Sequence, residues 1–311
     1  MTSQADKPIV VGLGELLWDC FADRRLPGGA PANVAFHACQ LGCLGIACSR
    51  VGQDALGDEL VEFLRSQGLR TDWVQRDGDH CTGTVTVDTS RPECPRFTIH
   101  EDVAWDYLQF DGALEELASR ADAICFGTLA QRSPQSRRTI HRAVRAAGAA
   151  CLVVYDVNLR QHFFDRDWVE PSLATSRVVK LNADEVVQLD KLLGLGEPGH
   201  EGFARAIRGR FGVETVCVTR GEQGCLLVGP EQAVDGPGVR VKLADAVGAG
   251  DAFTAALILG QLRGWPLERQ AGFANAVGAL VASRPGAMPP LRDEFARLAA
   301  CGMIEQGPAA S

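Results

Sequence analysis

A run of small residues between two carboxylates is the segment of this sequence best suited to chemistry. It extends from Asp245 to Asp251 (Asp-Ala-Val-Gly-Ala-Gly-Asp) and leads directly into an apolar segment, residues 252–259. A glycine-rich loop that opens onto a helix directs free backbone N–H groups and the positive end of the helix dipole at one point, which favours a bound phosphate. A carboxylate there suits a group that takes a proton from an attacking hydroxyl, so the segment indicates a phosphotransferase.

The same segment has a purely structural interpretation, because Asp is a favoured helix N-cap and glycine turns precede many helices. Asp245 weighs against that interpretation, since no turn requires both carboxylates. Other phosphate-binding motifs are missing from the sequence. No Gly-x-x-x-x-Gly-Lys-Ser/Thr run occurs, and Gly12-Leu13-Gly14 is followed by Leu17 where a dinucleotide fingerprint needs its third glycine.

Composition argues against several classes of protein. With 311 residues, the chain is long enough for one large α/β domain with an insertion or for two average domains. Its formal net charge of −8 argues against a nucleic-acid binder, which usually has a basic face. No apolar run reaches the length of a bilayer span, and residues 1–7 contain no signal-peptide core. We therefore expect a soluble, cytoplasmic protein.

The eleven cysteines do not form a metal-binding pattern. No Cys-x-x-Cys occurs, and although Cys39 and Cys43 could share one face of a helix, no further ligand completes a tetrahedral set nearby. Most of the others lie in apolar, strand-like runs, where a thiol acts as a small hydrophobic group. We expect reduced thiols in the core.

Short apolar strands alternate with helical segments over most of the chain, which is typical of an α/β fold with a doubly wound, mostly parallel sheet flanked by helices. The pattern changes between residues 69 and 107. There, 82–88 and 96–100 alternate polar and apolar residues in the manner of a small antiparallel sheet. We predict a single domain over residues 1–311, in which about 15–28 and 70–107 form an inserted β lid.

The residues that follow the predicted parallel strands are polar or glycine in every case. In such a sheet, ligands bind beyond the carboxyl ends of the strands, so these residues and the Asp251 loop are expected to share one site. The strand-end groups are Gly14-Glu15, Gly127-Thr128, Asp156–Arg160, Asn182–Glu185 and Arg220-Gly221.

Taken together, these groups resemble the ribokinase (phosphofructokinase-B) family of carbohydrate kinases over nearly the whole chain. Residues 27–35 (Pro-Gly-Gly-Ala-Pro-Ala-Asn-Val-Ala) and 245–253 carry the resemblance most strongly, with Asn182-x-x-Glu185 and Thr219-x-Gly221 between them. Within the family, residues 14–19, 28–33 and 101–106 look most like bacterial fructokinases. The resemblance implies ATP-dependent transfer of a phosphoryl group to a sugar.

The resemblance implies roles for the residues around the transferred phosphoryl group. Asp251 matches the catalytic base of the family, and the backbone N–H groups of Gly248, Ala249 and Gly250 match its anion hole. Asp245 matches a ligand of a monovalent cation such as K⁺ in some relatives. The carbonyl positions of that cation loop fall at Val281, Arg284, Gly286 and Pro290, but Ala246-Val247 replaces the usual Thr-Thr pair.

Asn182 and Glu185 match the family motif that arranges Mg²⁺ and its waters around the nucleotide phosphates. Their alternative role is to cap the helix predicted over residues 185–192, and both roles are compatible. Three further residues match the nucleotide site at the end of a strand, although an ordinary hairpin turn would also explain them. They are Thr219, Gly221 and Gly224, and they are joined by Asn275, which matches a position against the adenine.

Asp19 and Asn33 match the sugar-binding positions, where carboxylate and amide groups suit polyol hydroxyls. Gly28 and Gly29 let the sugar approach the backbone closely. The run Asp156-x-Asn158-x-Arg160 provides a second tier of sugar-site residues. Trp105 is expected to anchor the lid.

The sequence therefore predicts an ATP-dependent kinase that phosphorylates a primary hydroxyl, with D-fructose as the expected substrate and a homodimer formed through the lid. Within the fold, 2-keto-3-deoxygluconate kinase, ribokinase and nucleoside kinase are the alternatives. A phosphosugar kinase stays open because of four arginines: Arg24, Arg25, Arg96 and Arg132. Outside this class, a catalytically silent sugar sensor is disfavoured by the intact Asp251, and a dinucleotide-dependent oxidoreductase by the incomplete glycine fingerprint.

Overall fold

The protein is built around one large twisted sheet with a smaller sheet beside it. A computed structural model describes residues 7–88 and 96–301. In chain order the strands of these residues are β1 (Ile9–Leu13), β2 (Leu17–Cys20), β3 (Arg25–Gly28), β4 (Leu44–Gly52), β5 (Val74–Asp77), β6 (Gly83–Asp88), β7 (Arg96–Ile99), β8 (Ala123–Phe126), β9 (Leu152–Asp156), β10 (Val178–Asn182), β11 (Thr215–Thr219), β12 (Cys225–Val228) and β13 (Ala233–Gly236).

The large sheet has nine strands in the order β13-β12-β11-β10-β9-β8-β1-β4-β5. All neighbours from β11 to β5 are parallel, while β12 and β13 form antiparallel pairs at one edge. The central strands are almost wholly apolar because helices cover both of their faces. The predicted doubly wound sheet is confirmed.

The described helices are α1 (Ala30–Gln40), α2 (Ala55–Ser66), α3 (Gly112–Arg120), α4 (Pro134–Ala146), α5 (Arg166–Thr175), α6 (Ala183–Leu193), α7 (Gly199–Phe211), α8 (Ala249–Leu262), α9 (Leu267–Ala282) and α10 (Arg292–Cys301). Helices α3 to α7 bury apolar side chains against one face of the large sheet, and α1, α8, α9 and α10 do so against the other. Helix α8 is buried continuously from Ala252 to Gly260, which explains why that stretch of sequence is apolar on all sides.

The small sheet has the order β3-β2-β6-β7. Its outer pairs, β3 with β2 and β6 with β7, are antiparallel as predicted, whereas β2 and β6 are parallel. The inner pair is parallel because the chain passes through the large sheet between these strands and does not form a hairpin. Trp105, in a short 3₁₀ helix after β7, is completely buried, and the Arg132 guanidinium stacks 3.9 Å from its ring. Trp105 thus anchors the small sheet to the large one.

Cysteines fill space in the core. Of the nine cysteines whose side chains are described, seven are buried, and none of the nine forms a disulfide. Cys81 is exposed, and Cys20 is half-buried. Over the described ranges, each helix is too short or too polar to cross a bilayer.

The topology brings the polar strand ends to one edge of the large sheet. Glu15 follows β1, while Asp156, Asn182 and Thr219 are the last residues of β9, β10 and β11. The N-termini of α1, α6 and α8 lie at the same edge, because each of these helices begins after the chain has reached the carboxyl side of the sheet.

Candidate active site

The first turn of α8 has backbone N–H groups that find no partner inside the helix. Gly248 is the N-cap residue and adopts a left-handed conformation with φ of 78°, and a Cβ atom there would lie 2.5 Å from the carbonyl oxygen of Ala287. Only glycine fits this position without strain. Within the described ranges, no side chain caps the helix. The Ala249 N–H makes a long contact of 3.4 Å with the Ala246 carbonyl. The N–H groups at Gly248, Ala249 and Gly250, which were predicted to form the anion hole, lie at the positive end of the helix dipole, a location that suits an anion.

Asp251 lies in this turn and is half-buried. Its Oδ2 accepts a hydrogen bond of 2.7 Å from the side-chain amide of Asn33, in the first turns of α1. Burial and the nearby Asp156 carboxylate raise the pKa of Asp251 to about 6, against the opposing effects of the Asn33 hydrogen bond and of Lys180. Asp251 is thus ionised at neutral pH and has a pKa suited to accepting a proton.

Asp156 is buried behind Asp251 and already has protein partners. Its two carboxylate oxygens lie 3.0 and 3.2 Å from the ammonium group of Lys180, which is adjacent to it in register on β10. Oδ2 also accepts a hydrogen bond of 2.7 Å from the Thr254 hydroxyl on α8. Asp156 was predicted to bind the sugar, but these contacts favour a supporting role for it.

The predicted sugar-binding residues lie around the loop that joins β3 to α1. Gly28 ends β3, Gly29 is the N-cap of α1, and the Asp19 carboxylate approaches Gly28 so closely that a Cβ atom there would lie 2.7 Å from Oδ2. Burial raises the pKa of Asp19 to about 6, while Arg160 acts in the opposite direction. Asn33 belongs to the same group through its bond to Asp251.

Glu15, two residues after the end of β1, is 3% exposed and has one carboxylate oxygen, Oε2, without a hydrogen-bond partner among the described residues. Burial raises the pKa of Glu15 to about 7, although backbone N–H groups at Glu15 and Ala30 and the charge of Arg160 lower it. Arg160 itself is exposed and lies within electrostatic range of Glu15, Asp19 and Asp251. Asn158, two residues earlier, is half-buried with a positive φ of 42°.

Asn182 and Glu185 form a complete capping box at the start of α6. The Glu185 backbone N–H donates to Asn182 Oδ1 at 2.9 Å, and the Asn182 backbone N–H donates to Glu185 Oε2 at 2.8 Å. Glu185 Oε1 accepts a third bond from the Leu159 backbone N–H at 2.9 Å, so the capping interpretation is confirmed. Each oxygen keeps a second lone pair, which can accept a hydrogen bond from a water molecule bound to Mg²⁺.

Direct coordination of a metal by side chains has little support. Among the described residues, no group of three or more His, Cys, Asp or Glu side chains is arranged to hold a metal ion. A Mg²⁺ ion at this site would therefore take most of its ligands from phosphates and waters, as is usual for this ion.

The residues predicted to bind the nucleotide lie together at the β11 end of the edge. Thr219 ends β11, and Gly221 and Gly224 belong to the hairpin between β11 and β12, which the sequence offered as an alternative. Asn275 on α9 is buried, and its amide donates hydrogen bonds of 3.1 and 3.0 Å to the carbonyls of Gly236 and Pro237. One turn later on α9, Gly278 packs against the Ala249 carbonyl, which joins this group to the first turn of α8.

The Asp245 carboxylate ties two loops together. Its Oδ1 accepts a hydrogen bond of 3.0 Å from the Val247 backbone N–H, and its Oδ2 accepts one of 3.1 Å from the Gly286 N–H. The Asp245 N–H donates to the Ala282 carbonyl at 3.2 Å. The structure therefore brings Asp245 to the end of α9 and to Gly286, one of the four positions predicted to supply carbonyl ligands of a monovalent cation.

The arginines that kept a phosphosugar kinase open mostly have carboxylate partners. Arg24 pairs with Asp23, Arg25 with Glu59, and the buried Arg132 with Asp106. These pairs weaken the case for a second phosphate site.

Comparison with known proteins identifies the family. A family model described as pfkB family carbohydrate kinase matches residues 8–294. The chain belongs to this family. The uncharacterized sugar kinase PH1459 of Pyrococcus horikoshii is 31% identical over 307 residues, covering 92% of this chain and 94% of that protein. Its crystal structure matches with a TM-score of 0.81, covering 93% of this chain and 97% of that one.

Fructokinases are also among the similar proteins. Fructokinase-1 of Oryza sativa subsp. japonica is 29% identical, covering 92% of this chain and 95% of that protein. The structure of a fructokinase with bound ATP from Xylella fastidiosa has a TM-score of 0.83 at 22% identity, covering 95% of this chain and 99% of that one, which shows a shared fold. This pfkB family chain is thus a fructokinase-like carbohydrate kinase.

Sequence reasoning missed two polar residues near this site, Lys180 and Thr254, and gave a third, Glu15, no role. Lys180 is a lysine within an otherwise apolar central strand, and that contrast is a signal the sequence offers. Thr254 lies one turn after Gly250 on the predicted helix, a spacing at which a hydroxyl reaches the backbone carbonyl. Glu15 was noted only as a strand-end residue.

Proposed function

We propose that this pfkB family kinase transfers the γ-phosphoryl group of ATP to the primary hydroxyl of D-fructose, giving fructose 6-phosphate. The observation that carries the proposal is the bond between Asn33 and Asp251 beside an uncapped helix N-terminus, because it joins a sugar-binding residue to the base and the anion hole. ATP as the donor is supported by PH1459, which has been solved in complex with ATP. Similarity to fructokinases over nearly the whole chain supports the sugar.

In the proposed reaction, the oxygen of the sugar hydroxyl attacks the γ-phosphorus in line with the bridging oxygen of the leaving ADP. A bond forms between the sugar oxygen and phosphorus, the bond from phosphorus to the bridging oxygen breaks, and the hydroxyl proton passes to the Asp251 carboxylate. The N–H groups of Gly248, Ala249 and Gly250 stabilise the charge on the transferred oxygens. Asn33 holds the carboxylate in position.

Mg²⁺ is part of the proposal, as the ion that neutralises charge on the nucleotide phosphates. Glu185 would hold it through water, and Asn182 keeps Glu185 oriented. Thr219, Gly221, Gly224 and Asn275 would bind the nucleotide. A K⁺ ion near Asp245 would stabilise the loop that precedes the anion hole.

A second candidate substrate is the sugar acid 2-keto-3-deoxygluconate. Arg160 favours it, because its exposed guanidinium lies within electrostatic range of Asp19 and Asp251. Such a group pairs well with a substrate carboxylate. With fructose, the same guanidinium would donate to a hydroxyl.

We also propose that the enzyme is a cytoplasmic homodimer. In this proposal the small sheet is the lid of the active site, and the two subunits contact each other through it. Phe97 on the edge strand β7 is 52% exposed, which suits an apolar contact. Light scattering on the purified protein tests the dimer. A Phe97→Lys variant is expected to shift the mass toward the monomer.

The substrate proposal is tested by measuring ADP release with fructose, ribose, 2-keto-3-deoxygluconate, adenosine and fructose 6-phosphate. We expect fructose to give the highest kcat/KM, and 6-deoxyfructose, which lacks the reacting hydroxyl, to give none. Phosphorus NMR of the product identifies the phosphorylated position, and Asp251→Asn is the matched inactive control. Turnover of another sugar without fructose would overturn the substrate and retain the mechanism. If none of the five compounds gives ADP release, the proposed function is overturned.

A further inference from the structure

Lys180 is a buried cation that the proposed reaction does not use directly. It occupies the centre of the strand segment Val-Val-Lys-Leu-Asn and is 7% exposed. Alternation along β10 places it on the face covered by α8, on the same side as Val178. Its ammonium group lies so close to the first turn of α8 that a Cβ atom on Gly250 would be 3.3 Å from Nζ. A charge in such a place is retained only if it is paired.

A continuous set of contacts leads from Lys180 to the first turn of α8. The ammonium group donates to both oxygens of Asp156, and Asp156 Oδ2 accepts from the Thr254 hydroxyl at 2.7 Å. That hydroxyl, which is fully buried, also lies 2.9 Å from the Gly250 carbonyl oxygen and shares its proton between the two acceptors. Gly250 precedes Asp251, so the contacts end at the anion hole and the base.

The charges around Lys180 support this arrangement. Burial acts to lower the pKa of Lys180, but the carboxylates of Asp156, Glu185 and Asp251 outweigh it and raise that pKa above the ordinary value. Lys180 is therefore protonated at neutral pH. It thus balances the negative charge of carboxylates that would otherwise repel one another and an incoming phosphate.

We propose that Lys180 is a positioning residue, which acts through Asp156 and Thr254 to fix the turn that carries Gly250 and Asp251. The inference rests on the proposed kinase function, because the turn matters for catalysis only if it holds the phosphoryl group and the base. Misplacement of reacting groups by about 1 Å lowers a rate roughly 100-fold. Loss of Lys180 should therefore lower kcat far more than it changes KM.

The test compares Lys180→Met, Thr254→Val, Thr254→Ser and the double variant Lys180→Met/Thr254→Val. We expect Lys180→Met to lower kcat roughly 100-fold with little change in the KM for ATP or the KM for the sugar. Thr254→Val should lower kcat roughly tenfold, whereas Thr254→Ser, which keeps the hydroxyl, should stay near wild type. The double variant should be no slower than Lys180→Met, because both changes interrupt the same contacts. Full activity of Thr254→Val, or losses that multiply in the double variant, would overturn the proposal.

A second readout needs no sugar. Hydrogen exchange of the Ala252 backbone amide, which donates to the Gly248 carbonyl at 2.9 Å, and of the amides that follow it in the second turn of α8 should be faster in Lys180→Met and Thr254→Val than in wild type, and unchanged in Thr254→Ser. Arg50→Met, which breaks the buried ion pair with Asp77 in the β4–β5 region, is the matched control and should leave this exchange unchanged. Equal exchange in wild type and Thr254→Val would overturn the positioning role, whichever substrates the wild type uses.

A substitute variant is needed if Lys180→Met does not fold. Lys180→Met leaves Asp156 buried without its cation, which is strongly destabilising. If it does not fold, Lys180→Met/Asp156→Asn takes its place, since it leaves no unpaired buried charge. The same loss of kcat and the same faster exchange are expected of that variant, and wild-type values for both would overturn the proposal.

Discussion

The Asn33 amide nitrogen lies 2.7 Å from Asp251 Oδ2 and joins the first turns of α1 to the first turn of α8. Asn33 is almost fully buried, so this bond forms in a region of low dielectric constant, where it is strong. It occupies one oxygen of the carboxylate and leaves Oδ1 for a substrate hydroxyl. The same bond lowers the pKa of Asp251 and opposes the effect of burial.

Asp251→Asn should remove activity without loss of stability. The amide cannot accept the hydroxyl proton, and loss of a general base lowers kcat by a factor of roughly 10² to 10⁴. Because burial disfavours the ionised carboxylate, the neutral variant should unfold at the same temperature as wild type or higher at pH 8. Steady-state kinetics and thermal unfolding measure the two effects. Activity within about tenfold of wild type, or ~1.4 kcal/mol of barrier, would disprove the assignment of the base.

The rate should fall with decreasing pH at a value set by the buried carboxyl. Asp251 acts as a base only when ionised, and its pKa of about 6 predicts that kcat/KM halves as the pH falls through about 6. The pKa of Asp19 is also raised to about 6. Protonation of this proposed sugar-binding residue therefore contributes to the same fall in kcat/KM, the acidic limb of the pH profile. The profile of kcat/KM against pH, measured with fructose or the sugar that turns over, provides the check. A limb near the ordinary value for Asp, about 4, would contradict the buried environment.

Variants of Asn33 should shift the acidic limb of the pH profile to higher pH, by amounts that follow a defined order. Asn33→Ala removes the donor that lowers the pKa of Asp251, so we expect a small shift of the limb to higher pH and a higher KM for the sugar. Asn33→Asp replaces the donor with a like charge and should produce a larger shift. The profiles of the three proteins, measured together, test this order. An identical limb in all three would show that the bond has no influence on the base.

The fold could be predicted from the sequence because its signals are local. Short apolar strands such as β10 and the apolar helix α8 that follows the glycine-rich loop are visible in the pattern of apolar residues, and the structure contains both. The parallel pairing of β2 with β6 could not be predicted, since it depends on how the chain passes through the large sheet. Alternation of side chains is the same in parallel and antiparallel strands.

Site residues were predictable where a loop motif carries them and not where tertiary packing does. Asp251 and Asn33 belong to conspicuous glycine-rich runs, and their order along the chain suggested one site. The role of Lys180 depends on its register opposite Asp156, which only the strand pairing reveals. Asn275 was predicted to lie against the adenine, and the sequence could not show that it is buried and donates to the carbonyls of Gly236 and Pro237, because these contacts depend on how α9 packs against the turn after β13.

Glu15→Gln should stabilise the protein at high pH and not at low pH. A carboxyl whose pKa is raised on folding, here from 4.5 to about 7, destabilises the folded state when it ionises. Below the unfolded-state pKa the group is protonated in both states and has no effect. The penalty grows as the pH rises to 7 and is then constant. Each pKa unit corresponds to ~1.36 kcal/mol, so the glutamine should add up to about 3 kcal/mol at pH 8.

Urea unfolding of wild type and Glu15→Gln at pH 4.5 and pH 8 measures this difference. Glutamine keeps a carbonyl oxygen that can accept from the backbone N–H groups of Glu15 and Ala30, so these contacts are not lost with the charge. Glu62→Gln on the exposed face of α2 is the matched control, and the free energy of its unfolding should follow that of wild type at both pH values. Equal free energies for Glu15→Gln and wild type at pH 8 would mean that Glu15 ionises without penalty, through a partner for Oε2 such as a buried water. The predicted gain in stability would then be absent. Because the charge of Arg160 lowers the pKa of Glu15, a variant of Arg160 would be the next one to compare with wild type at pH 8.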